Sequence, residues 1–279
     1  MANVLPREKQ VMVLKCLVEG VSVRGTERLT DVSREAILSL LLRVGEGCAM
    51  LLDAMLRDLP CERLELDEIW GFIGKKQARV RADEDGSEIG DVWTYVAFCP
   101  DTKLVATYLV GKRTSMNTCA FVGDLASRLR HRVQISTDGL DQYKNAIRSA
   151  FGGAVDYGMV VKSYEADPVG AGRYSPPRVS EVTKTALIGE PEEELISTSG
   201  VERQNLTMRM QMRRLTRLTN AHSKTLRHHK AATALHYGFY NLCRINEAVR
   251  VTPAMAAEIT TTVWSVGALL DAALTGEVK

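Results

Sequence analysis

Leu64-Glu65-Leu66-Asp67-Glu68-Ile69-Trp70 is the first stretch of the chain that reads as a β-strand. Apolar and acidic residues alternate there with a period of two. Everything before it has a helical period. Val11, Leu14, Leu17, Val18 and Val21 recur at helical spacing, as do Ile37, Leu40, Leu41 and Val44, and the pattern closes at Pro60. The strand therefore marks a change from an all-α region to an α/β region. Two more runs of strand length follow, Trp93 to Cys99 and Leu104 to Val110, rich in β-branched and aromatic residues and separated by a turn at Pro100-Asp101. A helical pattern through Cys119, Phe121, Val122, Leu125 and Leu129 precedes a short strand, Val133 to Thr137, that ends at Asp138-Gly139. A helix from Leu140 to Phe151 and strand-like residues around Tyr157 complete a β-β-β-α-β-α-β order. That order predicts an α/β fold with a mixed sheet.

The expected organisation has three parts. Residues 1–60 form an all-α helix-turn-helix domain, 61–250 an α/β domain with an irregular insertion at about 166–199, and 251–279 a helical tail. In the first part Gly20 separates two helices and Ser33 is the N-cap of the next. Helix, tight turn and helix over Ser22 to Ile37 is the organisation of a DNA-binding unit, with Arg34 and Glu35 exposed in the first turn of the recognition helix. A small three-helix bundle without a DNA role has the same pattern. The insertion is assigned from its low hydrophobicity, its prolines and the acidic run Glu192-Glu193-Glu194.

Composition narrows the function. Lys plus Arg is 36 against 34 Asp plus Glu, a net charge of +2, so a protein that coats nucleic acid indiscriminately is excluded. The 45% hydrophobic and 25% charged composition is that of a folded chain, not a disordered one. No apolar run has membrane length and the first residues lack a signal pattern, which predicts a cytoplasmic protein with no membrane partner. The six cysteines are scattered with no Cys-x-x-Cys pair, which argues against a zinc site and a disulfide scaffold. The charge is unevenly spread. Residues 202–250 hold ten Lys and Arg against two Glu, a net of +8, so on a total of +2 the rest of the chain is net −6.

Three carboxylates are candidates for chemistry. Asp67 lies mid-strand among Leu64, Leu66, Ile69 and Trp70, where a buried unpaired acid is costly. Its neighbour Glu68 points to the opposite face, so one of the two can face solvent. Asp138 ends the fourth strand, where sites gather in α/β sheets, although Asp-Gly is also a common turn. Glu202 opens the basic helical zone, and Asn205, Arg209 and Arg213 follow it along roughly one helical face. Acids from the first strand, the fourth strand and a late helix suit a two-metal phosphodiester site, and oxygen ligands favour Mg²⁺, with Mn²⁺ able to substitute. His222, His228, His229 and His236 share the basic zone without a Cys partner. They read as solvent-exposed or phosphate-contacting, with a modest case for His228 or His229 near the site.

Val201-Glu202-Arg203-Gln204-Asn205-Leu206-Thr207-Met208-Arg209, followed by Arg213-Arg214-Leu215-Thr216-Arg217-Leu218-Thr219, resembles the block around the catalytic glutamate of bacterial insertion-sequence DDE transposases, nearest to the insertion sequence one family. Leu66 to Trp70 resembles the segment with that family's first Asp. Ser136-Thr137-Asp138-Gly139 with Tyr143 resembles the segment with its second, and Arg250 to Ala256 is similar to its C-terminal region. The resemblance implies a ribonuclease H-like core in which Asp67, Asp138 and Glu202 are catalytic and bind divalent metal, and in which Arg209 contacts DNA. Those family members carry His and Lys near the glutamate, where this chain is Arg-rich. The resulting expectation is a DNA transposase that binds its element's terminal inverted repeats, cleaves there and joins the freed 3′-OH to target DNA. Arg34, Glu35, Arg203, Asn205, Arg209, Arg213 and Arg217 are the expected DNA contacts. The partners are double-stranded DNA and at least a second copy of the chain, with no small-molecule substrate. An inactive DNA-binding regulator and a ribonuclease H-like nuclease without strand joining are the alternatives.

Overall fold

The computed structural model describes residues 5–164, 179–217 and 219–276. Three helices come first: α1 (Arg7–Val18), α2 (Val23–Thr30) and the long α3 (Arg34–Met55). Serines cap the second and third. Ser22 Oγ accepts from the Gly25 amide and Ser33 Oγ from the Ala36 amide, satisfying donors left open at a helix start. Asp31, in the left-handed conformation, ends α2 and makes the turn into α3.

The sheet comprises β1 (Arg63–Ile73), β2 (Gly90–Phe98), β3 (Val105–Gly111), β4 (Val133–Thr137), β5 (Val155–Tyr164) and β6 (Val179–Ile188), in the order β3-β2-β1-β4-β5-β6. The first three strands form an antiparallel meander, β4 and β5 continue parallel to β1, and β6 returns antiparallel to β5. Helices α4 (Ser115–Ala126) and α5 (Asp141–Phe151) make the parallel connections. This is the mixed-sheet α/β core the strand order predicts. Beyond it come α6 (Ser199–Gln211), α7 (Leu226–Leu242), α8 (Pro253–Ala256) and α9 (Val266–Thr275).

One expectation is corrected. Part of the irregular insertion at about 166–199 is strand β6, and α6 begins at its end; residues 165–178 of it lie outside the described ones. The strand is hard to see in sequence because none of its side chains is buried. It is held by main-chain pairing to β5, and an exposed strand needs no apolar period.

The N-terminal helices and the sheet share one hydrophobic core, which runs from Val13 and Leu14 through Leu66 and Tyr95 to Ala273. Helix α3 joins it through two glycines. A methyl group on Gly45 would collide with the Ala231 carbonyl of α7, and one on Gly47 with the Ala273 carbonyl of α9. Both helices therefore approach α3 backbone to backbone.

Histidines 229 and 236 lie inside this packing, which corrects the solvent-exposed expectation for both. Burial, with Arg244 adding to it, holds the His236 imidazole down at about 3. The unfolded chain, with its histidine near 6.5, takes up a proton the folded chain refuses. The contribution is thus fully present above pH 6.5 and lost as pH falls toward 3, by about 1.4 kcal/mol per pH unit. His236→Phe is expected to remove that part of the slope in urea unfolding. An unchanged slope would mean that the ring is protonated in the fold.

Candidate active site

Strand β1 runs past the end of β4, and that offset creates the site. The parallel register pairs Leu66 with Thr137, the last residue of β4, so the next step sets Asp67 beside Asp138. Glu65 and Asp67 face α6, while Glu68, opposite Tyr95 in the β1–β2 register, faces the side of α4 and α5. Where β4 is missing, the two faces communicate. One carboxylate oxygen from each of Asp67, Glu68 and Asp138 lies within 4.8 Å of the others.

Neither member of the Asp67-Glu68 pair faces open solvent, contrary to the expectation for one of them. The Glu68 side chain is 3% exposed, with Arg113 3.7 Å away, and its Oε1 is buried without a hydrogen-bond partner among the described residues. Burial, reinforced by Asp138, pushes the Glu68 carboxyl up to about 7 and the Asp67 carboxyl to about 6. Like charges are held together here with too little cation to balance them. Glu68 is the site residue that sequence reasoning missed. The signal was present as adjacent acids in a central strand, but only the packing of helices on both faces shows that both are part-buried.

Helix α6 is fixed over Asp67 at two points. Glu65, itself buried, accepts from the Val201 amide at 2.8 Å, so its carboxylate caps the first turn of α6 from another element. One turn on, Asn205 Nδ2 donates to Asp67 Oδ2 at 2.7 Å. Glu202 lies between these anchors, close enough to raise the Asp67 carboxyl. Its own carboxylate is engaged elsewhere. Lys162 of β5 donates to Glu202 Oε1 at 2.5 Å and Thr198 Oγ1 at 2.8 Å. Asp138 Oδ1 accepts from the Leu140 amide at 3.1 Å, so the Asp-Gly turn and the carboxylate cluster coexist in one residue. Tyr143, completely buried, is near enough to feel all three clustered acids.

The expected DNA contacts divide. Arg203 and Arg217 are exposed, and so are Arg34 and Glu35 in the first turn of α3, where Arg34 pairs with Glu27 at 3.2 Å. Arg209 is part-buried, near enough to Arg217 and Asp67 to feel both charges. Two residues differ from expectation. Asn205 is buried and bound to Asp67, because that face of α6 docks on β1. Arg213 does not continue the face of α6, because the helix ends at Gln211 and a 3-10 turn follows over Arg213–Leu215. No histidine joins the carboxylate cluster among the described residues.

The donor set fits a divalent cation. Three carboxylates converge, one oxygen is buried and unpartnered, and all the atoms are hard oxygen ligands. The cost of this arrangement without a cation is testable. Glu68→Gln is expected to stabilise the metal-free protein by about 2 kcal/mol at pH 8 while weakening Mn²⁺ binding. The sign follows from a carboxyl raised on folding: the charged form is penalised, so the gain grows as pH rises from about 4.5 to 7 and is absent below that window. Equal stability of the two proteins at pH 8 would contradict it.

No family model and no curated protein matches the chain in sequence. Among solved structures, it is similar to the piggyBac transposase in a synaptic complex with hairpin DNA, at 13% identity over 97% of this chain and 70% of that one, with a TM-score of 0.45. It is also similar to the Mos1 strand transfer complex, at 15% identity over 53% of this chain and a TM-score of 0.22, and to a pre-cleavage Mos1 transpososome, at 12% identity over 56% and a TM-score of 0.24. The matches span 56% and 60% of those two Mos1 chains. No helix among the described residues is long and apolar enough to cross a membrane.

Proposed function

We propose that the protein is a metal-dependent DNA transposase of the DDE kind, acting on the ends of an insertion sequence in bacteria. The observation that carries this reading is the convergence of Asp67, Glu68 and Asp138 at the open end of β4, beneath a helix that bears Glu202, Arg203 and Arg209. The long resemblance of the Val201 to Thr219 block to the transposase glutamate block supports it. Asp67 and Asp138, with Glu68 and Glu202 beside them, would hold Mg²⁺ or Mn²⁺. Divalent metal held by these carboxylates would supply Lewis-acid chemistry for phosphodiester displacement.

The chain's own residues supply position and charge. Asn205 orients the Asp67 carboxylate. Glu65 holds the first turn of α6, and so Glu202, over the sheet. Lys162 and Arg209 put positive charge beside the acids, where a scissile phosphate has to sit. Arg203 and Arg217 extend that charge along the strand's path as phosphate contacts, which set register without reading sequence. Arg34 and Glu35, exposed at the start of α3, are the side chains available to base edges of the terminal repeats. Joining two element ends requires at least two copies of the chain on double-stranded DNA.

The reaction is two in-line displacements: hydrolysis frees a 3′-OH at the element end, and that hydroxyl then attacks a target phosphodiester. A pre-cut element end and a target plasmid, incubated with protein and Mg²⁺, separate the candidates. Joined product is expected. Cleavage of uncut ends without any joining would make the protein a nuclease, and end binding with neither reaction would make it a regulator.

A further inference from the structure

A second cavity lies away from the carboxylates, between the N-terminal helices and the far end of α6. Its volume is about 690 Å³. That is within the range of about 300–1,000 Å³ for small-ligand sites, and far too small to admit a duplex. Leu17, Leu38, Leu41 and Leu235 make one wall apolar. Arg24, Arg34, Arg213, Arg214 and Lys224 also line it, and no Asp or Glu does. Arg34 has Glu27 as a partner outside the lining. Arg214 donates to the neutral Ser223 hydroxyl at 3.2 Å, no carboxylate pairs with it among the described residues, and burial holds its guanidinium down at about 10.

The cavity also holds polar atoms that the fold leaves unsatisfied. His236 is 3% exposed, and neither ring nitrogen has a hydrogen-bond partner among the described residues. Gln211 Oε1 and His222 Nδ1, of two other lining residues, are likewise buried without a partner among the described residues. Buried polar groups are normally paired, so three such groups in one cavity point to a ligand. The elements on either side of the cavity meet backbone to backbone at one point. Gly20, with φ of 76°, brings the end of α1 against the carbonyls of Met210 and Gln211, where a methyl group would be 3.1 and 3.0 Å away.

We propose that this cavity binds one nucleotide unit, with its base against the leucine wall and its phosphate among Arg24, Arg213 and Lys224. A flat ring with polar edges satisfies His236 and Gln211, and an anion answers a lining that has bases and no acids. Two sources share that chemistry: a nucleotide unstacked from a DNA strand and a free mononucleotide. The strand is favoured because α6 itself joins the two sites. Gln211 is nine residues beyond Glu202, about 14 Å along the helix. The assignment does not depend on the carboxylate chemistry.

Labelled tetrathymidylate, titrated with the intact protein in EDTA and followed by fluorescence anisotropy, tests the cavity. Saturable binding is expected. Arg24→Glu with Lys224→Glu, both exposed positions, should weaken it by at least tenfold and lower the slope of log affinity against log salt by about 0.7, one single-strand phosphate contact. Arg148→Glu, on α5 and outside the cavity lining, should leave it unchanged. Competition by thymidine monophosphate at concentrations equal to the tetranucleotide would keep the chemistry and assign it to free nucleotides. Absence of saturable binding, or equal loss in the Arg148 variant, overturns the proposal. The assay contains no divalent metal and reads no cleavage, so failure of the catalytic reading and failure of this one are distinguishable.

Discussion

Asp67→Asn and Asp138→Asn are each expected to lower strand cleavage on the order of 10³-fold, about 4 kcal/mol of transition-state stabilisation, with folding intact. Asparagine keeps the shape of the side chain and removes its charge. At Asp67 the amide oxygen still accepts from Asn205, so α6 stays docked. At Asp138 the amide oxygen still accepts from the Leu140 amide, so the turn survives. Both changes also relieve repulsion among three clustered acids, so neither variant should be less stable than the parent above pH 7. Cleavage of end-bearing DNA in Mg²⁺, Mn²⁺ binding by electron paramagnetic resonance and the urea midpoint together make the test. Parent-like cleavage by either variant would remove that residue from the site. Lost cleavage with a collapsed midpoint would show a structural role instead.

Gly47→Ala is expected to destabilise the protein by about 3 kcal/mol, against the local preference of the chain. In an exposed helix interior the same change stabilises by about 0.5 to 1 kcal/mol. Gly123 of α4 is such a position: it is exposed and a methyl group there meets nothing. Gly47 is the opposite, because its missing side chain lets α9 lie against α3 with the Ala273 carbonyl in the space a methyl would fill. The overlap involves backbone on both sides, which cannot rotate away, so packing outweighs propensity. Opposite shifts of the urea midpoint for Gly47→Ala and Gly123→Ala are the expected result. Stabilisation by both would mean that α3 and α9 are not in close contact.

Most of the architecture was legible in the sequence because its signals are local. Alternation from Leu64 to Trp70, the strand runs on either side of Pro100-Asp101, and the Ser33 cap each depend on a few neighbouring residues. Strand β6 was not legible, because an exposed strand held only by main-chain pairing has no side-chain pattern to read. Asp67 and Asp138 stood out as acids in unusual positions. The buried histidines did not, since a polar residue inside a basic helical zone has the same local sequence whether it faces water or core.

By itself, then, the sequence determined the strand and helix order, the change from α to α/β at Leu64, and the identity of the carboxylates from two strands and a late helix. Tertiary structure alone decided which of them meet. β1 runs on past its pairing with β4, so that Asp67, the first residue beyond that pairing, meets Asp138, and Glu68 is packed in with them. It also turned Asn205 inward to Asp67, tied Glu202 to Lys162, and set arginines from α2 and from the turn after α6 around one cavity. Each of these depends on distances between residues far apart in the chain, and spacing along the sequence carries no information about them.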